Sequence, residues 1–250
     1  INKSIDVNEG SNEIAAIEKT AATVNKLPAD GDLFGAARAN DTSEIAALLK
    51  SGINVDATNE NGMSPLMCAV ESESVEVVDL LLDKSDIEAL NNNGINALGV
   101  AVNKNNIKMV KRLIEKGGAA VNCLIYKDNQ TPLMLAVRKN QLEMAEYLLN
   151  KGASLRAATT NGWTPLAFAV HKKDLETINL LLDKKWDPPS EVNIVIGEYT
   201  LLMMAFSYDC DTRIINALLS AGADIKTSMK MAKDKKNDKL YNLLKNFKRR

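Results

Sequence analysis

The fold of this chain is encoded most clearly in its middle, by QTPLMLAV at residues 130–137 followed by LEMAEYLL at residues 142–149. Thr131 can cap the free amides of a helix, and Pro132 has a φ that is already helical and no N–H to leave unbonded. Apolar residues then recur at helical spacing in both segments. Gly152 follows where a left-handed residue commonly ends a helix. The stretch therefore predicts two short helices joined by a turn.

The same unit recurs along the chain. Copies of its first helix are SPLMCAV (64–70), NALGVAV (96–102), TPLAFAV (164–170) and, more loosely, TLLMMAF (200–206). The alanines that align across the copies are Ala36, Ala69, Ala101, Ala136, Ala169 and Ala205. Their spacing gives steps of about 33, 32, 35, 33 and 36 residues, and such a period indicates a repeat protein.

A period near 33 with Thr-Pro-Leu at the start of each unit resembles the ankyrin repeat, in which a β-turn finger precedes each antiparallel helix pair. The resemblance implies an all-α solenoid of stacked antiparallel helix pairs with β-turn fingers. Residues 1–30 are then expected to form an N-terminal leader and capping helix. Residues 31–250 are expected to form the repeat domain, with about six repeats and a C-terminal capping unit.

The chain departs from the family pattern in three ways. The histidine that usually follows Thr-Pro-Leu is replaced by Met67, Gly99, Met134, Ala167 and Met203. We expect the stack to survive this loss of hydrogen bonds with more apolar loop contacts, because methionine fills irregular space. Positive φ is expected at the finger tips, where Gly62, Gly94 and Gly162 stand, but Asn129 replaces glycine in the fourth repeat and tolerates the same conformation. Residues 183–199 break the period, and their alternating VNIVIG predicts a small hairpin that either contacts a partner or packs Trp186 and Val195 on the stack.

Composition excludes several classes of function. The chain is 46% hydrophobic but only 4% aromatic, as stacked helices with aliphatic interlayers require. The formal net charge is −1, which gives no overall field for nucleic acid or a membrane surface. The basic end, residues 226–250, carries about +8 and is interpreted as a lysine-coated cap. We expect a monomer that neither binds nucleic acid nor inserts into a membrane.

Location in the cell stays open at this level. The sequence begins at Ile1 and contains no signal peptide or membrane-spanning run. A cytoplasmic protein, or an exported or periplasmic one whose signal peptide was removed, would look the same. Three cysteines, an odd number, argue against a disulfide framework.

No catalytic, cofactor or metal site is expected. The chain has one histidine, His171, and no Cys-x-x-Cys or glycine-rich phosphate loop. A pair of His171 with a cysteine is the only nucleophilic arrangement available, and a stack of helices offers it no closed, water-excluding pocket. The chain is therefore predicted not to be an enzyme.

Two rows of side chains are expected to share the concave side of the stack. Alignment places Met63, Ile95, Gln130, Trp163 and Tyr199 at matching finger positions, where each either contacts a partner or packs on the next finger. The ends of the first helices supply a row that is basic from Lys104 onward. The predicted partner-binding residues are Met63, Ile95, Trp163, Tyr199, Lys104, Arg138, Lys139, His171, Lys172 and Tyr208.

The predicted function is a non-enzymatic scaffold that binds a protein partner of unknown identity on its concave surface of fingers and inner helices. The alternative is an exported or periplasmic accessory or effector protein that modulates a partner enzyme. Both follow from the family resemblance, since a repeat scaffold fixes the shape of a site and not its occupant.

Overall fold

The computed structural model describes residues 31–186 and 191–248. The predicted leader and capping helix at residues 1–30 lie outside the described residues, as do Pro188 and Pro189 of the period break.

Fourteen α-helices and one two-stranded hairpin are found among the described residues. The helices are α1 (Gly31–Ala39), α2 (Thr42–Lys50), α3 (Pro65–Glu71), α4 (Val75–Leu81), α5 (Ala97–Asn103), α6 (Ile107–Glu115), α7 (Pro132–Arg138), α8 (Leu142–Asn150), α9 (Pro165–Lys172), α10 (Leu175–Leu181), α11 (Leu201–Ser207), α12 (Thr212–Ser220), α13 (Ile225–Asp234) and α14 (Asp238–Lys248). The strands are β1 (Val195–Ile196) and β2 (Tyr199–Thr200), and short 3₁₀ turns lie at Lys184–Trp186 and Glu191–Asn193.

The helices alternate between two layers. The odd-numbered helices α1 to α11 are the first helices of repeats one to six, and each contacts the first helix of the next repeat. The even-numbered helices α2 to α12 are the second helices, each packed on its own first helix. One continuous apolar core fills the space between the layers. The predicted all-α solenoid of helix pairs is confirmed.

Side-chain caps fix where the first helices begin. Thr164 Oγ1 accepts a hydrogen bond from Ala167 N at 3.4 Å, and Ser64, Asn96 and Thr200 cap α3, α5 and α11 in the same way. In α7 the bonding is reciprocal, because Thr131 N also donates to Met134 Sδ at 3.5 Å. A methionine sulfur thus supplies one bond, although a weak one, in the place where the family usually has histidine.

The fingers are the loops that precede the first helices of repeats two to five, at residues 53–64, 83–96, 117–131 and 152–164. Each finger carries the number of the repeat whose first helix follows it, so they are the second to fifth fingers. Their tips have the expected positive φ, which is 71° at Gly62, 73° at Gly94, 61° at Asn129 and 79° at Gly162. In the second finger Asn59 Oδ1 accepts from the backbone N–H groups of Asn61 and Met63, both at 3.0 Å. These local bonds favour the turn conformation at the finger tip.

The period break contains the predicted hairpin, which is short. Val195 pairs with Thr200 and Ile196 with Tyr199, so only the end of the alternating segment is a strand and its partner is the start of repeat six. Val192 lies in a 3₁₀ turn and is buried. Val195 is 50% exposed and does not pack on the stack, whereas Trp186 is half-buried. Of the two side chains named for packing on the stack, Trp186 is therefore partly buried and Val195 is not.

The described chain ends in a helix pair, α13 and α14, that packs against α11. Ala232, Leu240 and Leu244 are buried, and the Phe206 and Phe247 rings meet edge-on with centroids 5.6 Å apart. These contacts cover the apolar side of repeat six that a further repeat would otherwise cover.

Gly99 occupies a position in α5 where a side chain has no room. An added Cβ would lie 2.6 Å from Ile95 Cγ2 and 3.3 Å from Ile125 Cγ2. Alanine gains up to about 1 kcal/mol of helix propensity over glycine, but overpacking costs about 1 to 3 kcal/mol. We expect Gly99→Ala to lower the free energy of unfolding in urea by about 1 kcal/mol.

Gly35 in α1 is the matched control for this substitution. Nothing lies within 4 Å of the Cβ that alanine would add there. Gly35→Ala should therefore raise the free energy of unfolding by about 0.5 to 1 kcal/mol. An equal rise in the free energy of unfolding for Gly99→Ala and Gly35→Ala would contradict the close approach of Ile95 to α5.

Candidate functional site

The two predicted rows lie on one side of the stack, which we call the finger face: the fingers, the hairpin and the last turns of the first helices. The rows meet because each first helix begins directly after its finger and ends one or two turns later. Residues on successive repeats therefore stand side by side, separated by the spacing of packed helices, about 8–10 Å.

Backbone hydrogen bonds join successive fingers along this face. Asn92 N donates to Asn61 O at 3.1 Å, and Thr160 N of the fifth finger donates to Asp128 O of the fourth at 2.9 Å. Tyr126 N makes the corresponding bond to Gly94 O. Within residues 31–186 and 191–248, no backbone bond continues this series from the fifth finger to the hairpin. The row of fingers is therefore interrupted between repeats five and six.

Met63 and Ile95 are less accessible than the sequence suggested. Met63 is 8% exposed and Ile95 7%, and both belong to the core cluster. Each side chain packs inward because its finger is held against the next one by the bonds just described. Gln130, at the same finger position, is also buried. At these three positions the side chain packs inward and does not face a partner. We therefore leave Met63 and Ile95 out of the proposed contact surface.

Trp163 and Tyr199, by contrast, reach the surface. Tyr199 is 39% exposed on the hairpin, and Trp163 is half-buried at the end of the fifth finger. The Trp163 ring centroid lies 5.1 Å from that of Phe168 and 5.5 Å from that of His171. His171 in turn meets Tyr208 edge-on at 5.0 Å. The four rings form an aromatic ridge across repeats five and six.

The ridge contains one residue that the sequence analysis did not select. Phe168 lies three positions before His171 in α9, so both side chains share one face of that helix. Alignment alone favours a core position for Phe168, because it matches Cys68 and Leu135, which are buried.

Arg138 is held in place by polar neighbours on repeat four. Its guanidinium donates to Gln130 Oε1, and Gln130 Nε2 donates to both carboxylate oxygens of Asp128, at 3.0 and 2.8 Å. The Arg138 guanidinium carbon also stands 5.7 Å from the centroid of Phe168. This arrangement orients the guanidinium across the boundary between repeats four and five.

The remaining cations of the row are exposed. Lys139 Nζ donates to Asn103 O at 3.1 Å, and Lys173 Nζ donates to Asp209 O at 3.4 Å. Lys104 and Lys172 are also exposed. None of the lysines in this row forms a salt bridge within the described part of the chain. Their charge is available to a ligand.

Three open grooves cross the finger face. The fourth-finger groove, about 440 Å³, is lined by Tyr126, Lys127, Asp128, Gln130, Leu135, Arg138 and Lys139. The fifth-finger groove, about 450 Å³, is lined by Asp128, Gln130, Arg138, Thr159, Asn161, Trp163, Phe168, His171 and Lys172. The hairpin groove, about 480 Å³, is lined by Asn161, Trp163, Ile196, Gly197, Tyr199, Met204, Ser207 and Tyr208. Trp163 separates the last two.

The cysteines are unsuited to nucleophilic chemistry. Burial raises the pKa of the Cys68 and Cys210 thiols, and it raises the pKa of Cys123 to about 11. A thiol with a raised pKa is protonated at neutral pH, and the thiolate is the nucleophile. The His171 ring contacts the rings of Trp163 and Tyr208 edge-on, with centroids 5.5 and 5.0 Å away.

Among the residues that the structure describes, no group of three or more His, Cys, Asp or Glu side chains is placed to hold a metal ion. No helix among them combines the length and apolar character needed to cross a bilayer.

Two family models match the chain. The one described as ankyrin repeats (3 copies) matches residues 83–159 and 101–194, and the one described as ankyrin repeats (many copies) matches residues 33–82. No curated protein matches the chain. The matched residues include every finger and the basic row of repeats three to five.

Proposed function

The chain belongs to the ankyrin repeat family, and on this premise we propose that it is a non-catalytic scaffold that binds a protein partner on the finger face. Members of this family are generally protein–protein interaction modules and typically not enzymes. A stack of repeats presents an extended surface that no single loop could form. Such surfaces hold partners without needing an enclosed cavity.

One observation carries the proposal: on one face, cations that form no salt bridge within the described residues lie beside exposed aromatic rings. Exposed Trp and Tyr are the residues most enriched where binding energy concentrates. Cations beside them raise the association rate and orient an acidic partner more than they add affinity. A surface without a ligand gains no stability from displaying Tyr199 to water.

We assign the contacts as follows. Trp163 and Tyr199 act as anchors, and Arg138, Lys139, His171 and Lys172 orient the partner. Lys104 and Tyr208 extend the surface on either side.

Affinity capture with matched variants tests this proposal. The wild-type protein, Lys139→Glu/Lys172→Glu and the control Lys50→Glu/Lys108→Glu serve as baits in a lysate of the source organism. The control changes the net charge equally but lies on the second helices α2 and α6. Captured proteins are quantified by mass spectrometry. The proposal is supported by proteins that bind the wild type and the control equally but are captured about tenfold less by Lys139→Glu/Lys172→Glu. Equal capture by both variants would refute it.

Nucleic acid is not expected to bind, in spite of the lysines in α13 and α14. Asp234 and Asp238 interrupt that run, and Lys235 is paired with Glu198. Genuine phosphate contacts make affinity fall steeply as salt rises. Fluorescence anisotropy with labelled DNA and RNA fragments should show no salt-dependent binding near physiological ionic strength. A steep salt slope would contradict the assignment of this end as a cap.

A further inference from the structure

The hairpin groove differs from the other two grooves in the character of its walls. Its floor is formed by Met204 and Ile196, which are buried, and its sides by Trp163 and Tyr199, which are partly exposed. Among the residues that the structure describes, no charged side chain lines it. A volume of about 480 Å³ is within the range of sites that bury small apolar groups.

The groove exists because the period breaks at this place. Between repeats two and five a backbone hydrogen bond ties each finger to the next. The hairpin instead satisfies its backbone internally, through the pairing of Val195 with Thr200 and of Ile196 with Tyr199. An apolar side chain from another molecule can therefore enter between the fifth finger and the hairpin.

Positive charge on the finger face is concentrated in the middle repeats and is bordered by carboxylates at both ends. Glu71 and Glu73 lie at the end of α3 in repeat two, and Asp209 follows α11 in repeat six. Between them, the fourth-finger and fifth-finger grooves are lined by four cations and one carboxylate, and that carboxylate is bonded to Gln130. A partner's carboxylates are thus attracted over repeats three to five and repelled at either end.

From these two features we infer that the partner presents an extended acidic segment with one aromatic or large aliphatic side chain, which enters the hairpin groove while the carboxylates lie along repeats five and four. This inference rests on the proposed function and specifies the chemistry of its partner.

The spacing of the motif follows from the geometry of the stack. Adjacent first helices are about 8–10 Å apart, and an extended chain advances about 3.3 Å per residue, so one repeat corresponds to about three residues. The hairpin groove is built mainly on the hairpin and α11 of repeat six. Lys172 is in repeat five, and Arg138 and Lys139 are in repeat four. The motif therefore has its apolar anchor followed, in one chain direction, by carboxylates about three and about six residues away.

Selection from a displayed library of random nine-residue peptides tests the inference with the protein as it is. We expect enriched peptides to carry one aromatic or large aliphatic residue with Asp or Glu about three and six positions from it. Labelled synthetic copies are then titrated by fluorescence anisotropy. Replacing the anchor with alanine, or the acids with their amides, should weaken binding about tenfold or more.

Protein variants separate this inference from the proposed function. Tyr199→Ala and Lys139→Glu/Lys172→Glu should each weaken the selected peptides about tenfold, whereas Lys50→Glu/Lys108→Glu should not. Peptides that lose affinity for Tyr199→Ala but carry no acids overturn the inference and leave the finger face as the binding surface. Peptides insensitive to both finger-face variants contradict both proposals. Failure to enrich any peptide, or displacement of the peptides by a single-stranded oligonucleotide at physiological salt, also overturns the inference.

Discussion

Replacing Leu148 with alanine is expected to lower the free energy of unfolding by about 2 to 5 kcal/mol, the usual cost of a cavity in a packed core. Leu148 is fully buried in α8, which packs against α7 of its own repeat and against α10 of the next. The cavity therefore opens at the interface between repeats four and five. Because each repeat contacts only its neighbours, the loss should be local.

Leu142 in the same helix provides the control, because its side chain is 37% exposed and leaves a smaller cavity. In urea unfolding, Leu142→Ala should lower the free energy of unfolding clearly less than Leu148→Ala does. Hydrogen exchange of Leu148→Ala should show reduced protection in α7 to α10, with the helices of repeat one and the C-terminal pair less affected. Uniform loss of protection over the described chain would contradict the nearest-neighbour coupling of a solenoid.

Trp163→Ala is expected to weaken the complex with a captured partner by about 2 kcal/mol or more, which is a factor of about 30 in the dissociation constant. Trp163 borders both the fifth-finger and the hairpin groove, so its removal takes away a wall of each. Its half-buried ring contacts Phe168 and His171 at the surface, and we expect only a small change in thermal midpoint.

Trp186 is the matched control because it is the only other tryptophan and is also half-buried. It follows α10, and Lys185 stacks on its ring with Nζ 4.5 Å from the centroid and reaches Glu146 of α8 at 3.5 Å. Trp186→Ala should leave the affinity unchanged. An unchanged affinity and a lowered thermal midpoint for Trp163→Ala would instead assign that ring to packing of the fifth finger.

Local sequence signals predicted the repeat unit well. Thr164 and Ser64 cap the helices that their Pro-Leu successors begin, and Gly62 and Asn129 adopt the positive φ expected of them. Each of these features depends on a few neighbouring residues. The stacking of helices then follows from the period, because each unit has an apolar face that only another unit can cover.

Contacts between repeats were not predicted, because they depend on residues more than thirty positions apart. Met63 and Ile95 resembled Trp163 in alignment, yet they are buried because hydrogen bonds draw their fingers together. The gap that exposes Tyr199 arises where this series of bonds is interrupted. The hydrogen-bonded chain from Arg138 to Asp128 likewise needed the finger and helix to be placed side by side.

Hydrogen exchange of the protein with and without its captured partner tests the central claim most directly. We predict that the partner protects backbone amides in the fourth and fifth fingers, the hairpin at residues 195–200 and the last turns of α7 and α9. Amides of the second helices α4, α6 and α8 should be unchanged. Protection confined to those second helices would place the partner on the opposite side of the stack and contradict the finger face as the binding surface.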